Sequence, residues 1–280
     1  MLDFLSGDIA KVVTFPGGLA AVSQGIYERL LDELPENYLR ASCLAIDIRS
    51  VDGKVQVCYK DSNDQLHTVM AKTCIFAGPK FIARRICQDV PQLQRESWNQ
   101  INYRAYLVAN VILDSPVASP GFDLFCLQGK MPQEPTFLHP GDRAFSDLCF
   151  GSWAQEPQGT SQNAVLTVYK GLPYDGSNQH LFIPSAHDHY KRIIVSALEP
   201  ILQSLGKSRN NIVAVRLTRF GHPIPVARKD LIGKGIVQTA SQPIGGSLYF
   251  VNQDNWASAS FETVIAVAQN MTTAIRNRPH

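Results

Sequence analysis

Apolar positions along the chain alternate between two periods. From Leu19 to Leu34 they fall at Leu19, Val22, Ile26, Leu30 and Leu31, one face of a helix. Strand-like runs follow at Arg40–Ile48, Lys54–Lys60 and Leu66–Met70, the first two joined through Val51-Asp52-Gly53, whose Asp-Gly favours a tight hairpin. Thr73–Ala77 reads as a buried strand that stops at Gly78-Pro79. Between Phe81 and Arg219 the texture changes. Proline-rich and polar loops separate strand candidates at Tyr103–Leu113, Asp123–Gln128, Ser146–Trp153 and Ala164–Lys170, followed by a helix over Ala186–Leu205 and a strand over Ile212–Phe220. The last periodic stretch, Ser247–Asn277, predicts strand, loop and helix. Leu248–Val251 is continuously apolar, the next residues are turn formers, and Phe261, Val264, Ile265, Ala268, Met271 and Ile275 recur at helical spacing.

Strands covered by helices in this order give an α+β class, with a mixed or antiparallel sheet in the middle region. At 280 residues and 45% hydrophobic the chain has material for a large core in one or two domains. Net charge is +2 and the basic residues are scattered, which argues against a nucleic-acid partner. No run of about 18 apolar residues predicts a transmembrane segment. The start, Met-Leu-Asp-Phe-Leu-Ser-Gly-Asp, lacks the basic-then-apolar order of a secretory signal, so a cytoplasmic location is expected. Cysteines at 43, 58, 74, 87, 126 and 149 form no C-x-x-C pair and read as reduced structural thiols.

Candidate chemistry concentrates near the end. Ser258 or Ser260 can cap the last helix, Glu262 lies in its first turn, and the free amides there favour an anion or developing negative charge. Asp254, at the mouth of the strand, is placed to accept hydrogen bonds from sugar-type hydroxyls. An ordinary capped helix accounts for the same residues. His222, in Arg219-Phe220-Gly221-His222-Pro223, reads as a turn residue that either shuttles a proton, contacts substrate or hydrogen-bonds backbone. His187 and His189, two apart on a helix, diverge, and no metal site is expected. Tyr103 and Tyr106 either line a pocket or pack on a sheet face, the second being the commoner use of strand tyrosines.

The Ser247–Asn277 stretch resembles the C-terminal flavin signature of the FAD-dependent amine oxidase superfamily, which also includes phytoene desaturase-like and protoporphyrinogen oxidase-like enzymes. In that pattern Asp254 takes the acidic position of the ribityl-pyrophosphate region, Asn255 and Ser258 lie in the loop, and Ala259, Ser260, Phe261 and Glu262 match the helix start that faces the flavin. Where the family has glycine before the acid, this chain has Gln253. Phe15-Pro16-Gly17-Gly18 is similar to the turn opening the family's middle section. The helix, hairpin and returning strand resemble the family's order, putting Ala45 at the adenine-contacting position and Gly78 at the strand end nearest the flavin. The resemblance implies a partial FAD-binding domain from 1–80 and 230–280, made of β-meander, returning strand and C-terminal helix. Residues 81–229 become the substrate domain, with His222 the catalytic candidate.

A complete member of that family opens with a βαβ unit bearing G-x-G-x-x-G, and no such unit is found here; Gly233-Lys234-Gly235 lacks the third glycine and the context. Two functions stay open. In one, the chain is part of a split FAD oxidoreductase that transfers hydride from a C–N or C–C bond of a small molecule to flavin N5, a second polypeptide supplying the glycine-rich unit. In the other it is a truncated, non-catalytic binding module whose apolar face is covered by self-association. Under the first, Asp254→Ala is expected to weaken flavin binding without unfolding the chain.

Overall fold

In the computed structural model, which describes residues 16–125, 145–154, 162–173 and 176–277, most predicted elements form close to their expected bounds. Helix α1 (Ala20–Glu33) is followed by a hairpin and third strand, β1 (Leu44–Val51), β2 (Lys54–Lys60) and β3 (Leu66–Ala71), then β4 (Cys74–Phe76). Helices α2 (Lys80–Ile86) and α3 (Gln92–Gln100) lead into β5 (Tyr103–Leu113), β6 (Asp123–Phe125), β7 (Asp147–Phe150) and β8 (Ala164–Gly171). Helices α4 (Ser177–His180) and α5 (Pro184–Ser204), strand β9 (Ile212–Pro225), helix α6 (Ile236–Ala240), strand β10 (Leu248–Phe250) and helix α7 (Phe261–Arg276) complete the order. Phe15, Cys126 and the expected strand residues 126–128 lie outside the described residues.

The strands form three sheets: the antiparallel meander β1-β2-β3, the parallel pair β10-β4, and a five-stranded sheet ordered β6-β7-β8-β5-β9 whose β6/β7, β7/β8 and β8/β5 pairings are antiparallel. The mixed α/β character with antiparallel sheets agrees with the predicted class. The hairpin turn sits at Asp52-Gly53 as expected, with Asp52 at φ 49° and Gly53 at φ 73°, the left-handed pair that Asp-Gly tolerates best.

The described residues divide into two units, one comprising the chain up to Leu39 with Ala105–Gly221, the other Arg40–Arg104 with His222–His280. The resemblance implies boundaries at 80/81 and 229/230, and packing divides the described residues at 39/40, 104/105 and 221/222. The reason is α2 and α3, which sequence periodicity did not reveal. Gln88 N–H donates to Ile48 O at 2.9 Å, Gln94 Nε2 to Gln242 O at 2.6 Å and Trp98 Nε1 to Ala240 O at 2.7 Å, so this segment is bound to the meander and to the region of α6. In the first unit, alternate β5 residues Ala109, Val111 and Leu113 face Leu166 and Val168 of β8, while Ile194, Leu198 and Leu202 recur every four residues along α5 in the same core. No residue of α1 is buried, so its predicted apolar stripe is exposed.

One correction concerns His222. The aromatic-Gly-His-Pro segment is not a turn: β9 runs through it to Pro225. Pro223 is compatible with a strand there because β9 lies at the edge of its sheet, the place where strands tolerate proline.

Candidate functional site

All the sequence-derived site residues fall in the second unit, and the loop after β10 gathers several of them. Asn252 begins it, its side-chain carbonyl accepting from Asp254 N–H at 3.2 Å, and a short 3-10 turn over Gln253–Asn255 carries Asp254 inward until it is fully buried. Asp254 Oδ2 accepts from the Lys80 backbone N–H at 2.7 Å and from the Tyr103 hydroxyl at 2.6 Å. Asp254 Oδ1 is buried without a hydrogen-bond partner among the described residues. A buried carboxylate oxygen left unpaired is costly, so this atom is an acceptor waiting for a donor.

Lys80 makes the cluster an ionic one. Its side chain is fully buried, with Nζ donating to Asn255 Oδ1 at 2.6 Å and Asn252 Oδ1 at 3.1 Å and lying 5.1 Å from the centre of the Phe250 ring. Asn255 Nδ2 donates to Phe250 O at 2.7 Å, and Asn252 Nδ2 to Gly78 O at 2.5 Å. Asn255 and Gly78 are thus committed to internal bonds. Gly78 is also closely packed, since a Cβ there would stand 2.7 Å from Phe76 Cζ and the ring would have to shift.

Burial pushes the Lys80 ammonium down from 10.5 to about 8, against the opposing pull of the Asp254 carboxylate and Cys87. The folded chain therefore releases this proton more readily than the unfolded chain, a destabilisation present below pH 8 and relieved between pH 8 and 10.5. Stability of the wild type measured relative to Lys80→Met is expected to rise by about 1.4 kcal/mol per pH unit across that window. A flat difference in urea-unfolding free energies would mean that Lys80 is solvated.

Tyr103, the residue that sequence reading assigned to sheet packing, bridges Asp254 and His222. Its hydroxyl binds the carboxylate, its titration pushed far up by burial and by the Asp254 charge, so it remains a donor. The His222 ring lies 6.0 Å from the Tyr103 ring and 4.5 Å from Phe81, centre to centre. Burial, with Arg85 and Arg84 nearby, lowers the His222 pKa and favours the neutral imidazole, which can both donate and accept a proton. Lys80 and Asn252 carried no sequence signal; each is an isolated polar residue beside an apolar strand.

At the start of α7, Ser260 is the cap that forms, accepting from Thr263 N–H at 3.1 Å, while Thr263 Oγ1 donates to Ser258 Oγ at 3.2 Å. Ala259, Phe261 and Glu262 are exposed, and the first-turn amides of Phe261 and Glu262 have no partner within the helix. Ala45 is half-buried in β1 opposite Tyr59, outside the Lys80–Asp254 network. Among the described residues no cluster of His, Cys, Asp and Glu is arranged to hold a metal, and no helix is long and apolar enough to cross a membrane.

Comparison with known proteins gives the fold a precedent. The cyclohexylamine oxidase of Brevibacterium oxydans IH-35A superposes with a TM-score of 0.53 at 13% identity, over 91% of this chain and 53% of the oxidase. A putrescine oxidase variant, A394C, gives 0.58 at 13% identity over 94% and 53%. The chain has the fold of about half of an amine oxidase. The expected resemblance to the FAD-dependent amine oxidase superfamily therefore holds at the level of fold. In sequence, the chain is 22% identical over 283 residues to Oxidoreductase PigB of Serratia sp. (strain ATCC 39006), covering 98% of this chain and 40% of PigB. No protein-family model matches it. The chain thus spans about half the length of the proteins it resembles, or less.

Proposed function

We propose that this chain is one part of an FAD-dependent oxidoreductase of the amine oxidase type, with a second polypeptide supplying the glycine-rich dinucleotide-binding unit. The observation that carries the reading is Asp254: a carboxylate at the end of a parallel strand, held by Lys80 N–H and the Tyr103 hydroxyl, with Oδ1 buried and unpaired. A hydroxyl-bearing cofactor fits there as the missing donor. When bound, FAD supplies the hydride acceptor, N5, for a C–N or C–C bond of a small-molecule substrate.

The chain's own residues bind and orient. Asp254 accepts the hydroxyl, and the free amides of Phe261 and Glu262, with the positive end of α7, favour negative charge on a group facing them. Ser260 holds that helix start in place, and Ser258 braces it through Thr263. Ala45 offers a small side chain to the adenine end, and His222 stands ready to take or give a proton on the substrate side. Asn255 and Gly78 act indirectly, by fixing Lys80 and Asn252 around the carboxylate. In this reading the second unit carries the cofactor-facing role of 40–80 and 230–280, and the first unit, built on the five-stranded sheet, carries the substrate role of 105–221.

The test is the flavin content of the protein isolated with its partners from its native source. Flavin absorption in the wild-type complex, with affinity reduced about tenfold or more in Asp254→Asn, is the expected result, one charged hydrogen bond being worth about 1.5–3 kcal/mol. A colourless complex overturns the reading, and undiminished affinity in a folded Asp254→Asn removes Asp254 from the cofactor site.

A further inference from the structure

Away from the Asp254 cluster, the first unit carries a groove on the outer side of α5. The buried stripe of that helix is Tyr190, Ile194, Leu198 and Leu202, and its other side repeats polar residues at Asp188, Lys191, Arg192, Ser196 and Glu199, spacings of three and four that keep them on one face. Arg209, from the 3-10 turn Arg209–Asn211, folds back across this face: its Nη2 donates to Ser196 Oγ at 2.9 Å and pairs with Glu199 Oε2 at 2.7 Å. The turn is itself fixed, Ser208 Oγ accepting from Asn210 N–H at 3.3 Å and Asn211 Nδ2 donating to Asp114 Oδ2 at 3.1 Å. Helix and turn together bound a groove of about 490 Å³, lined by Asp188, Lys191, Arg192, Val195, Ser196 and Arg209.

Its lining is charged out of proportion to the chain. Three cations stand against one carboxylate, whereas the whole chain has a net charge of only +2. Asp188 lies four residues before Arg192, the spacing of a helix ion pair, but its Oδ1 contacts His187 Nδ1 at 3.1 Å instead. Neither Lys191 nor Arg192 makes a hydrogen bond or ion pair among the described residues, and Arg209 uses only Nη2 on Ser196 and Glu199, leaving Nη1 and Nε free to donate. Two guanidinium forks and an ammonium are donors without acceptors of their own. An oxyanion with several oxygens and two charges satisfies such a set better than a single carboxylate does. The groove also exceeds what a bare anion fills and lies within the usual range of small-molecule sites, about 300–1,000 Å³.

We propose that this groove binds a phosphate monoester of a small molecule, the phosphate seated among Lys191, Arg192 and Arg209 and the organic part against Val195. Glu199 is a positioning residue, holding Arg209 over the helix face without touching the ligand. Ser196, whose oxygen accepts from Arg209, keeps its own hydroxyl proton to donate to a phosphate oxygen. The inference goes beyond the oxidoreductase reading and does not depend on it, because every residue of the groove belongs to the first unit and none to the Asp254 network.

The experiment titrates phenyl phosphate, inorganic phosphate and acetate into the full chain at constant ionic strength and follows the backbone amide signals by NMR. Phenyl phosphate should give saturable shifts confined to residues 188–196 and Arg209, with tighter binding than inorganic phosphate, and acetate should give none. Lys191→Gln and Arg192→Gln lie on the outer face, so both should keep the wild-type circular dichroism spectrum. Each should bind phenyl phosphate about fivefold more weakly, the upper end of what one exposed charge contact contributes. Arg192→Lys, which keeps the charge and loses the fork, should recover part of that affinity, and the Lys191→Gln/Arg192→Gln double variant should no longer saturate. Shifts that rise linearly with concentration, that acetate reproduces, or that persist in the double variant would each overturn the proposal. So would phenyl phosphate binding no tighter than inorganic phosphate, or a polyglutamate peptide binding tighter than either, which would make the groove a docking patch for acidic protein. None of these readouts involves flavin, so the groove and the oxidoreductase reading stand or fall separately.

Discussion

Asp254→Ala is expected to destabilise the unit that holds it by about 2–6 kcal/mol, since two buried donors, Lys80 N–H and the Tyr103 hydroxyl, lose their acceptor at about 1–3 kcal/mol each. The sequence alone suggested a residue at a strand mouth, removable without unfolding the chain. Its actual position is fully buried, with Oδ2 shared between Lys80 N–H and the Tyr103 hydroxyl, and its loss leaves both donors without an acceptor. Lys80→Met removes the donor to Asn252 and Asn255 but also relieves the cost of burying the ammonium, so below pH 8 it should cost clearly less. Because the two residues share one network, the double variant should lose less than the sum of the singles. Urea unfolding followed by the fluorescence of the buried Trp98 reads the unit directly, and a midpoint for Asp254→Ala equal to that of wild type would place the carboxylate in water.

Trp98→Ala should cost about as much, roughly 3–5 kcal/mol, through the cavity left by a large buried ring. Trp98 is fully buried on α3, its ring centre 5.1 Å from that of Phe250 in β10, and its indole N–H donates to Ala240 O at the end of α6. The ring thus links three separate segments of the second unit, including the strand that leads to Asp254. Trp98→Phe keeps much of the apolar contact but abandons the Ala240 carbonyl, and should recover only part of the loss. Thermal unfolding by circular dichroism distinguishes the three proteins; equal midpoints would mean that the contact contributes nothing.

The long elements were legible because their periodicity is strong. Strand β5 alternates through Leu113 as its pattern demands, α5 presents Ile194, Leu198 and Leu202 at four-residue spacing, and Asp52-Gly53 makes the turn that its dihedral preferences favour. Helices α2 and α3 escaped detection because they are short and polar. Only Lys80 and Ala83 of α2 are buried, and α3 buries Gln94, Ser97 and Trp98, a mixture with no apolar stripe to read. They form because tertiary partners, Ile48, Ala240 and Gln242, satisfy them. Gly221-His222-Pro223 misled for the opposite reason: residues that often mark turns are tolerated in an edge strand.

By itself the sequence determined the α+β class, the meander and the strand-loop-helix at the end, since each follows from spacing along the chain, and its last stretch carried the resemblance to the amine oxidases. It also marked Asp254 and Ser260 by residue type. Only the tertiary structure decided that Lys80, 174 residues away from Asp254, lies against it, that Tyr103 joins the carboxylate to the His222 side, and that β4 pairs with β10 alone among the described residues. The physical reason is the same in each case. A buried charge, a shared carboxylate oxygen and an unpaired strand edge are properties of groups brought together from distant segments, and periodicity describes only neighbours along the chain.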